Sequence, residues 1–426
     1  MNNCPHFGRC GGCSYLDIPY EEELKLKEAE LNALLSPLDI KLDALIPSPK
    51  PSAYRNKMEL AFGDVDRDGA LALGMRIKRS FYEVATPLDC VLIGDDFKKI
   101  IAFTLEFFRA SGEEKYHRKR HTGALRHLLL RRGESTGEIL VLLSASSALK
   151  TDLSPWVEGL NALSLDGLIV GIMHAVNDGV ADAVKNEQVT ILYGRDYYFD
   201  LLAVNENEAV VTDHAEPLKF KIHAFAFFQT NTKAAEVLYH EVQTFAKLAS
   251  GHQCAYDLYC GTGTIAQIIA PLFKTVKGIE LSMEAINTAQ ENAERNKITN
   301  CDFIAGDVLH ELDQLMHVDD TADALASDCI LDTPKSRQQA SEQASLPDLI
   351  IVDPPRDGLH PKALQKIAAL TPPLMIYVAC KPKSFVRDML LLKEHGYAVD
   401  QIKAVDMFPR TPHVETVALL TRCETL

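Results

Sequence analysis

The sequence predicts two unlike halves. The first is an α+β domain built on antiparallel sheet; the second is a doubly wound α/β domain on a mostly parallel sheet. Three observations predict this. Residues 41–215 are rich in short β-like runs bounded by turn residues. From about residue 216, apolar runs alternate with helical stretches, the pattern of a parallel sheet with crossover helices. Between 311 and 346 that alternation breaks into Asp, Ser, Gln and Ala with no apolar period, which reads as a mobile insertion.

Taken in order, residues 1–13 hold three cysteines and three glycines and suit neither a helix nor a strand. They are grouped with 41–215 as a metal-binding loop on the central domain. Within 14–40, Tyr20, Leu24, Leu31 and Leu35 recur at helical spacing among charges. This gives one helix, about 20–36, expected to pack on the catalytic domain. "KMELAFGD", "LALGMR", "LRHLLLRRG", "EILVLLSA", "GLIVGIMHAV", "VTILYG" and "YYFDLLAV" are the strands of the central domain. "CAYDLYC", "TVKGIEL", "CDFIAGD", "DLIIVDPP", "LMIYVAC", "AVDMF" and "TVALLTRC" are those of 216–426.

No apolar run is long enough to span a membrane, and the N-terminus has no secretory pattern. A cytoplasmic chain is expected, in which the ten cysteines serve as ligands or catalysts rather than disulfides. A net charge of −15 argues against a nucleic-acid partner, but the charge is uneven. Nine acids and two bases lie between Glu311 and Asp348, whereas Lys115 to Arg132 holds seven Lys or Arg and no acid. In that basic stretch Arg118, Lys119, Arg120, Arg126, Arg131 and Arg132 are candidate contacts to an RNA backbone.

"DLYCGTGTIAQ" sets Gly261 and Gly263 in a turn between strand and helix, with Thr264 opening the helix. The next strand ends at Glu280, placed to accept from both hydroxyls of a ribose, and the third at Asp307, within reach of an adenine amino group. The fourth ends in "VDPPRDG" at Asp353. Glycine turn, acid, acid and Asp-Pro-Pro at four successive strand ends is the layout of an S-adenosylmethionine site. Arg356 stands where amino-group methyltransferases keep a stacking aromatic, which disfavours an amino target. Cys380 closes the following strand, and Glu415 precedes the last. Cys4, Cys10, Cys13 and Cys90 form a candidate four-thiolate set, and their spacing suits zinc or an iron–sulfur cluster.

"FFQTN", "DLYCGTG", "IVDPPRDGL", "YVACKP" and "FPRTPHVE" occur in an order and at distances that resemble the RNA 5-methyluridine methyltransferases, in their iron–sulfur branch. "CPHFGRCGGC" and "YRNKMELAFG" extend the resemblance over nearly the whole chain. It implies a Rossmann-like methyltransferase domain that acts on C5 of a uridine in ribosomal or transfer RNA, with 23S rRNA favoured. Cys380 would be the nucleophile at uracil C6 and Glu415 the base at C5; Asp353 and Gln229 would hold uracil and cofactor, and Tyr259 the cofactor. The four cysteines would carry a [4Fe–4S] cluster. Ala379 and Lys381 depart from the Ser and Asn usual beside the nucleophile. With Cys4 so near the start, the small RNA-binding β-barrel of many members is expected to be absent, and the central domain to grip the RNA. A monomer with no protein partner is implied. The competing reading is an iron–sulfur RNA-binding protein on a degenerate methyltransferase fold.

Overall fold

A computed structural model describes residues 4–66, 69–80, 82–179, 188–204, 216–314 and 346–423. Most of the expected insertion, residues 315–345, lies outside the described residues, while 311–314 are helical.

Two large sheets organise the molecule. The first has seven strands: β2 (Lys57–Asp64), β3 (Leu71–Arg76), β4 (Val84–Ala85), β5 (Leu125–Arg132), β6 (Glu138–Ala145), β7 (Leu168–Val176) and β8 (Gln188–Gly194). Their order is β4-β3-β2-β5-β6-β7-β8, antiparallel except for the β6–β7 pair. Because successive side chains leave a strand on opposite faces, its apolar runs serve two cores. Leu128, Leu130, Val141 and Leu143 pack under helices α2 (Asp95–Ser111) and α3 (Ser154–Asn161). Leu129, Leu140 and Leu142 face a two-stranded ribbon, β9 (Tyr197–Leu202) with β10 (Leu218–His223), and helix α4 (Thr232–Ala246). That second core runs on into the other sheet.

The other sheet has eight strands: β1 (Ala44–Ile46), β11 (Cys254–Leu258), β12 (Thr275–Glu280), β13 (Cys301–Ala305), β14 (Leu349–Val352), β15 (Leu374–Ala379), β16 (Tyr397–Val405) and β17 (Glu415–Arg422). The order is β1-β16-β17-β15-β14-β11-β12-β13. Strands β13, β12, β11, β14 and β15 are parallel, and β17 runs antiparallel between β15 and β16. Chain order reverses between β11 and β14, the point where open α/β sheets bind ligands beyond their strand carboxyl ends. Strands β11, β14 and β15 are buried along their whole length because helices cover both faces.

The covering helices include α1 (Tyr20–Leu35), α5 (Thr264–Ile269), α6 (Met283–Arg295), α7 (Pro361–Ala369) and α8 (Pro382–Glu394). Helix α1 packs against α8, and β1 pairs in parallel with β16. Residues 44–46, inside the segment read from sequence as central domain, therefore extend the eight-stranded sheet. Burial also fixes α1 through a polar contact. The fully buried Lys27 Nζ donates to Glu23 Oε1 and Asp406 Oδ1, each at 2.7 Å. Tyr20 Oη donates to Asp406 Oδ2 at 2.8 Å, and Arg410 N to Glu23 Oε1 at 2.6 Å.

Candidate active site

The turn after β11 is shaped by left-handed backbone. Tyr259, Gly261 and Gly263 have φ of 66°, 54° and 72°. A β-carbon on Gly263 would strike Phe303 and Ala289, so only glycine fits. At Gly261 a β-carbon would meet open space: the backbone there borders a cradle rather than packing. Glu280, at the end of β12, draws this turn to itself by accepting from Gly261 N (3.3 Å) and Ser282 N (2.9 Å). Thr264 is buried at the start of α5. Asp307 is exposed at the end of the β13 turn, where it caps Leu309 N and His310 N. The structure thus brings Tyr259, Gly261, Gly263, Glu280 and Asp307 to neighbouring strand ends.

The same edge carries the candidate catalytic groups. Val352 of β14 pairs with Tyr377 of β15, so Asp353 and Cys380 leave adjacent strands at the same end. Ala379 pairs with Thr416 of β17, and Thr416 Oγ1 donates to Ala379 O at 3.3 Å. Continuing that antiparallel register by one residue sets Cys380 opposite Glu415. Glu415 is 4% exposed, and burial, then the charge of Asp353, holds its carboxyl well above the ordinary range while Arg356 pulls it back. Asp353 is pushed up to about 7 by burial. The Cys380 thiol is raised to about 11 by burial, then by Glu415 and Asp353; Arg356 opposes them. Gln229 is buried ahead of α4, with its carbonyl held by Asn56 Nδ2 at 3.0 Å.

Two residues of this crevice were not singled out from sequence. Asp257 lies at the end of β11; its Oδ2 accepts from Ala266 N at 2.9 Å, and its buried Oδ1 has no hydrogen-bond partner. Burial pushes its carboxyl up to about 8. Its place two residues before Tyr259 was the available signal. Tyr239 on α4 is buried within electrostatic reach of Asp353, Glu415 and Asp257, and its phenol hydrogen-bonds with the Gln229 side chain. It reads in sequence as one more residue of the apolar stripe of α4.

The residues present fit S-adenosylmethionine. The open cradle at Gly261, the unpartnered Asp257 oxygen, the buried carboxyls of Asp257 and Glu415 and the half-buried carboxyl of Asp353 suit a cationic, hydrogen-bonding ligand.

Away from this crevice, Cys4, Cys10, Cys13 and Cys90 line one cavity, whose walls include Met58, Met75 and Leu92. Burial, then the other three sulfurs, raises Cys13 to about 12. Among the described residues, no group of three or more His, Cys, Asp or Glu side chains stands close enough to hold a single metal ion.

The basic stretch divides. Lys119 and Arg120 are exposed on a turn closed by His117 N donating to Thr122 O at 2.7 Å. Arg118 is half-buried beside them, in a pocket with Arg76, Tyr82 and Lys115. Arg126 and Arg131 are corrections to the expected RNA contacts, being 3% and 1% exposed. Arg126 stacks on Tyr116 and donates to Asn177 O and Gly179 O; Arg131 donates to Ala226 O. They sit on β5, whose two faces are both covered, so their guanidiniums satisfy buried carbonyls instead of phosphates. Arg132 is half-buried beside Asp96 (3.5 Å) and Glu134 (3.7 Å).

With this geometry in view, comparison with known proteins is specific. A family model described as tRNA (Uracil-5-)-methyltransferase matches residues 183–423. The chain is 40% identical to an uncharacterized RNA methyltransferase of Clostridium tetani, over 99% of this chain and 84% of that protein. It is also 40% identical to one of Caldanaerobacter subterraneus, over 98% and 84%. Among solved structures it is similar to the Pyrococcus abyssi tRNA (uracil-54, C5)-methyltransferase in complex with S-adenosyl-L-homocysteine. That match has a TM-score of 0.70 at 25% identity and covers 97% of this chain and 86% of that one. No helix among the described residues is long and apolar enough to cross a membrane. The family model, the relatives and the solved structure agree with a thiol and carboxyls gathered at the carboxyl edge of a doubly wound sheet: this chain belongs to the tRNA (uracil-5-)-methyltransferase family and is an RNA uracil-5-methyltransferase.

Proposed function

We propose that this enzyme methylates C5 of one uridine in a structured RNA, with 23S rRNA favoured over tRNA, through a covalent bond between Cys380 and uracil C6. The observation that carries the reading is the strand register that sets Cys380 opposite Glu415, with Asp353 on the neighbouring strand end. The bound cofactor, S-adenosylmethionine, supplies an electrophilic methyl group. Tyr259, Gly261, Gly263, Thr264, Glu280 and Asp307 would hold its adenosine part, and Gln229 and Asp353, with Asp257 beside them, its methionine part and the uracil. The Cys380 thiolate adds to C6 and makes C5 nucleophilic. Once C5 has taken the methyl group, Glu415 removes the C5 proton and the thiolate is expelled. The uridine must leave its stack to enter this crevice. Phe227, 70% exposed two residues before Gln229, supplies a ring on which a neighbouring base can stack.

Burial, then Glu415 and Asp353, hold the Cys380 thiol protonated, and Arg356 is the group that opposes them. Arg118, Lys119, Arg120 and, from its margin, Arg132 supply the RNA-backbone contact. The four-cysteine cavity takes a [4Fe–4S] cluster, four soft donors lining one mostly apolar cavity that also holds His6 and Arg55. Its role is to tie the N-terminal loop to the central domain, since methylation consumes no electrons. The protein works as a monomer in the cytoplasm.

The test is a mass map of 5-methyluridine in rRNA and tRNA from a deletion strain, which should lose one methyl group; no lost methyl group anywhere would refute the reading. In vitro, Cys380→Ser should lose turnover, and Glu415→Gln should accumulate RNA covalently bound to protein. Anaerobic purification should give about four iron and four sulfide per chain; one zinc and no colour would refute the cluster.

A further inference from the structure

The loop that follows Asp353 holds itself through one turn, Gly358 N donating to Pro355 O at 2.8 Å, and is otherwise fastened from outside. Arg356, Asp357, Gly358 and Leu359 are fastened, mainly through their backbone, to the first turns of α8, the helix that begins two residues after Cys380. Ser384 Oγ donates to Arg356 O at 2.7 Å. Arg387 Nη2 donates to Asp357 O at 2.8 Å and Leu359 O at 3.3 Å. Asp388, fully buried, accepts from Leu359 N at 2.7 Å, from Tyr377 Oη of β15 at 2.6 Å and from Arg387 Nε at 2.8 Å. At Gly358, φ is +75°, and an added β-carbon would lie 2.5 Å from Arg387 Nη2 and 2.6 Å from Asp388 Oδ2. The clasp therefore closes on bare backbone.

We propose that Ser384, Arg387 and Asp388 are positioning residues of the reaction: they lock the Arg356 loop to the helix that follows Cys380, so that the guanidinium of Arg356 stands against the thiol. The inference rests on Cys380 being the nucleophile. A buried carboxylate that served only the fold could be placed anywhere along α8; this one joins the two segments that carry Arg356 and Cys380. Arg356 itself is exposed, and its backbone carbonyl is held to α8 by Ser384 Oγ. The charged groups facing Cys380 are Glu415 from β17 and Asp353 and Arg356 from this loop, and Arg356 is the one among them that favours the thiolate. Asp388 lies behind the loop.

The sign of one substitution separates this role from simple electrostatics. Asp388→Asn removes a negative charge that lies behind the loop, away from the groups facing the thiol. Acting directly, that makes the thiolate easier to form and alkylation faster; acting through a loosened Arg356, it makes alkylation slower. The probe is iodoacetamide on the free full-length protein at pH 8.5, with labelling of Cys380 followed by peptide mass spectrometry. Asp388→Asn is expected to slow labelling about tenfold, a rise of about one pH unit in the thiol's titration. Ser384→Ala, which removes one hydrogen bond, is expected to slow it less and guards against a misfolded Asp388 variant. In an Arg356→Gln background neither change should slow labelling further. Labelling that is unchanged or faster in both variants, or that slows equally in the Arg356→Gln background, overturns the proposal. The readout needs no methylation, so loss of the methyltransferase reading would show separately, as Cys380→Ser protein that still turns over.

Discussion

Two clusters of buried acids can be compared within this one chain. Under α1, Glu23 and Asp406 are both fully buried, and Lys27 lies between them at 2.7 Å from each. Tyr20 takes the other Asp406 oxygen, Arg410 N shares Glu23 Oε1 with Lys27, and Arg410 Nη1 lies 3.4 Å from Glu23 Oε2. In the crevice, Asp257, Asp353 and Glu415 are packed among strand ends with Arg356 as the one cation acting on Glu415, and Asp257 keeps an oxygen without a partner. Residue type is alike, and burial raises Glu23 too, but there Lys27 and the Arg410 backbone pull it back, whereas burial alone acts on half-buried Asp353. A buried acid matched by a built-in cation holds a fold together. Buried acids left short of a cation are raised in pKa and wait for a positive ligand.

The largest expected effect breaks the first cluster. Lys27→Met should destabilise the protein by about 3–5 kcal/mol, since it strands two buried carboxylates; urea unfolding measures it, and a loss below about 1 kcal/mol would erase the distinction between the clusters. Asp353→Asn should do the reverse. Turnover should fall by about 10²–10⁴-fold while the urea midpoint holds or rises, because an acid that burial already disfavours is replaced by a neutral amide. If Asp353→Asn unfolds the protein as readily as Lys27→Met does, the crevice acids are structural after all.

A smaller effect sharpens the contrast through pH. Asp353 at about 7 and Asp257 at about 8 bind protons in the folded state that the unfolded chain, near 4, has released. Stability of the cofactor-free protein therefore falls as pH rises from about 4 through 8. The thermal midpoint should drop by a few degrees between pH 5.5 and 8, and the slope should flatten in Asp353→Asn. A slope unaltered in that variant would assign the pH dependence elsewhere. The smallest effect concerns the surface. Reversing Arg118, Lys119 and Arg120 to Glu should weaken RNA binding about tenfold and reduce its salt dependence; equal affinity at two salt concentrations would remove the patch from the RNA contact.

How much of this was legible in the sequence depended on what each residue is asked to do. Strands β11, β12, β14 and β15 show as apolar runs because the sheet is covered on both faces, and Cys380 and Glu415 stand out because one follows such a run and the other opens one. β1 did not show: three residues carry no period, and only pairing with β16 makes them a strand. The basic run misled because charge was counted without sidedness. In "LRHLLLRR" Arg126 and Arg131 lie on a strand that has no solvent face, and sequence cannot reveal a sheet covered twice by segments far away. Tyr239 was hidden for a like reason, its hydroxyl being aimed at acids contributed by three other strands. The clasp on α8 was silent too, because its acceptors are backbone carbonyls, which every sequence has.

The contact between Lys27 and Asp406 also sets an order of events in time. The two residues are 379 positions apart, and β1 meets β16 over a similar span. On the ribosome, α1 and β1 emerge first, yet their partners are made among the last. For almost the whole of synthesis Leu31 and Leu35 lack the surface that buries them, and Lys27 has only Glu23. The first helix is thus the last piece to be locked, and a nascent chain stopped short of residue 406 presents it as a loose, partly apolar tail for chaperones or proteases to take.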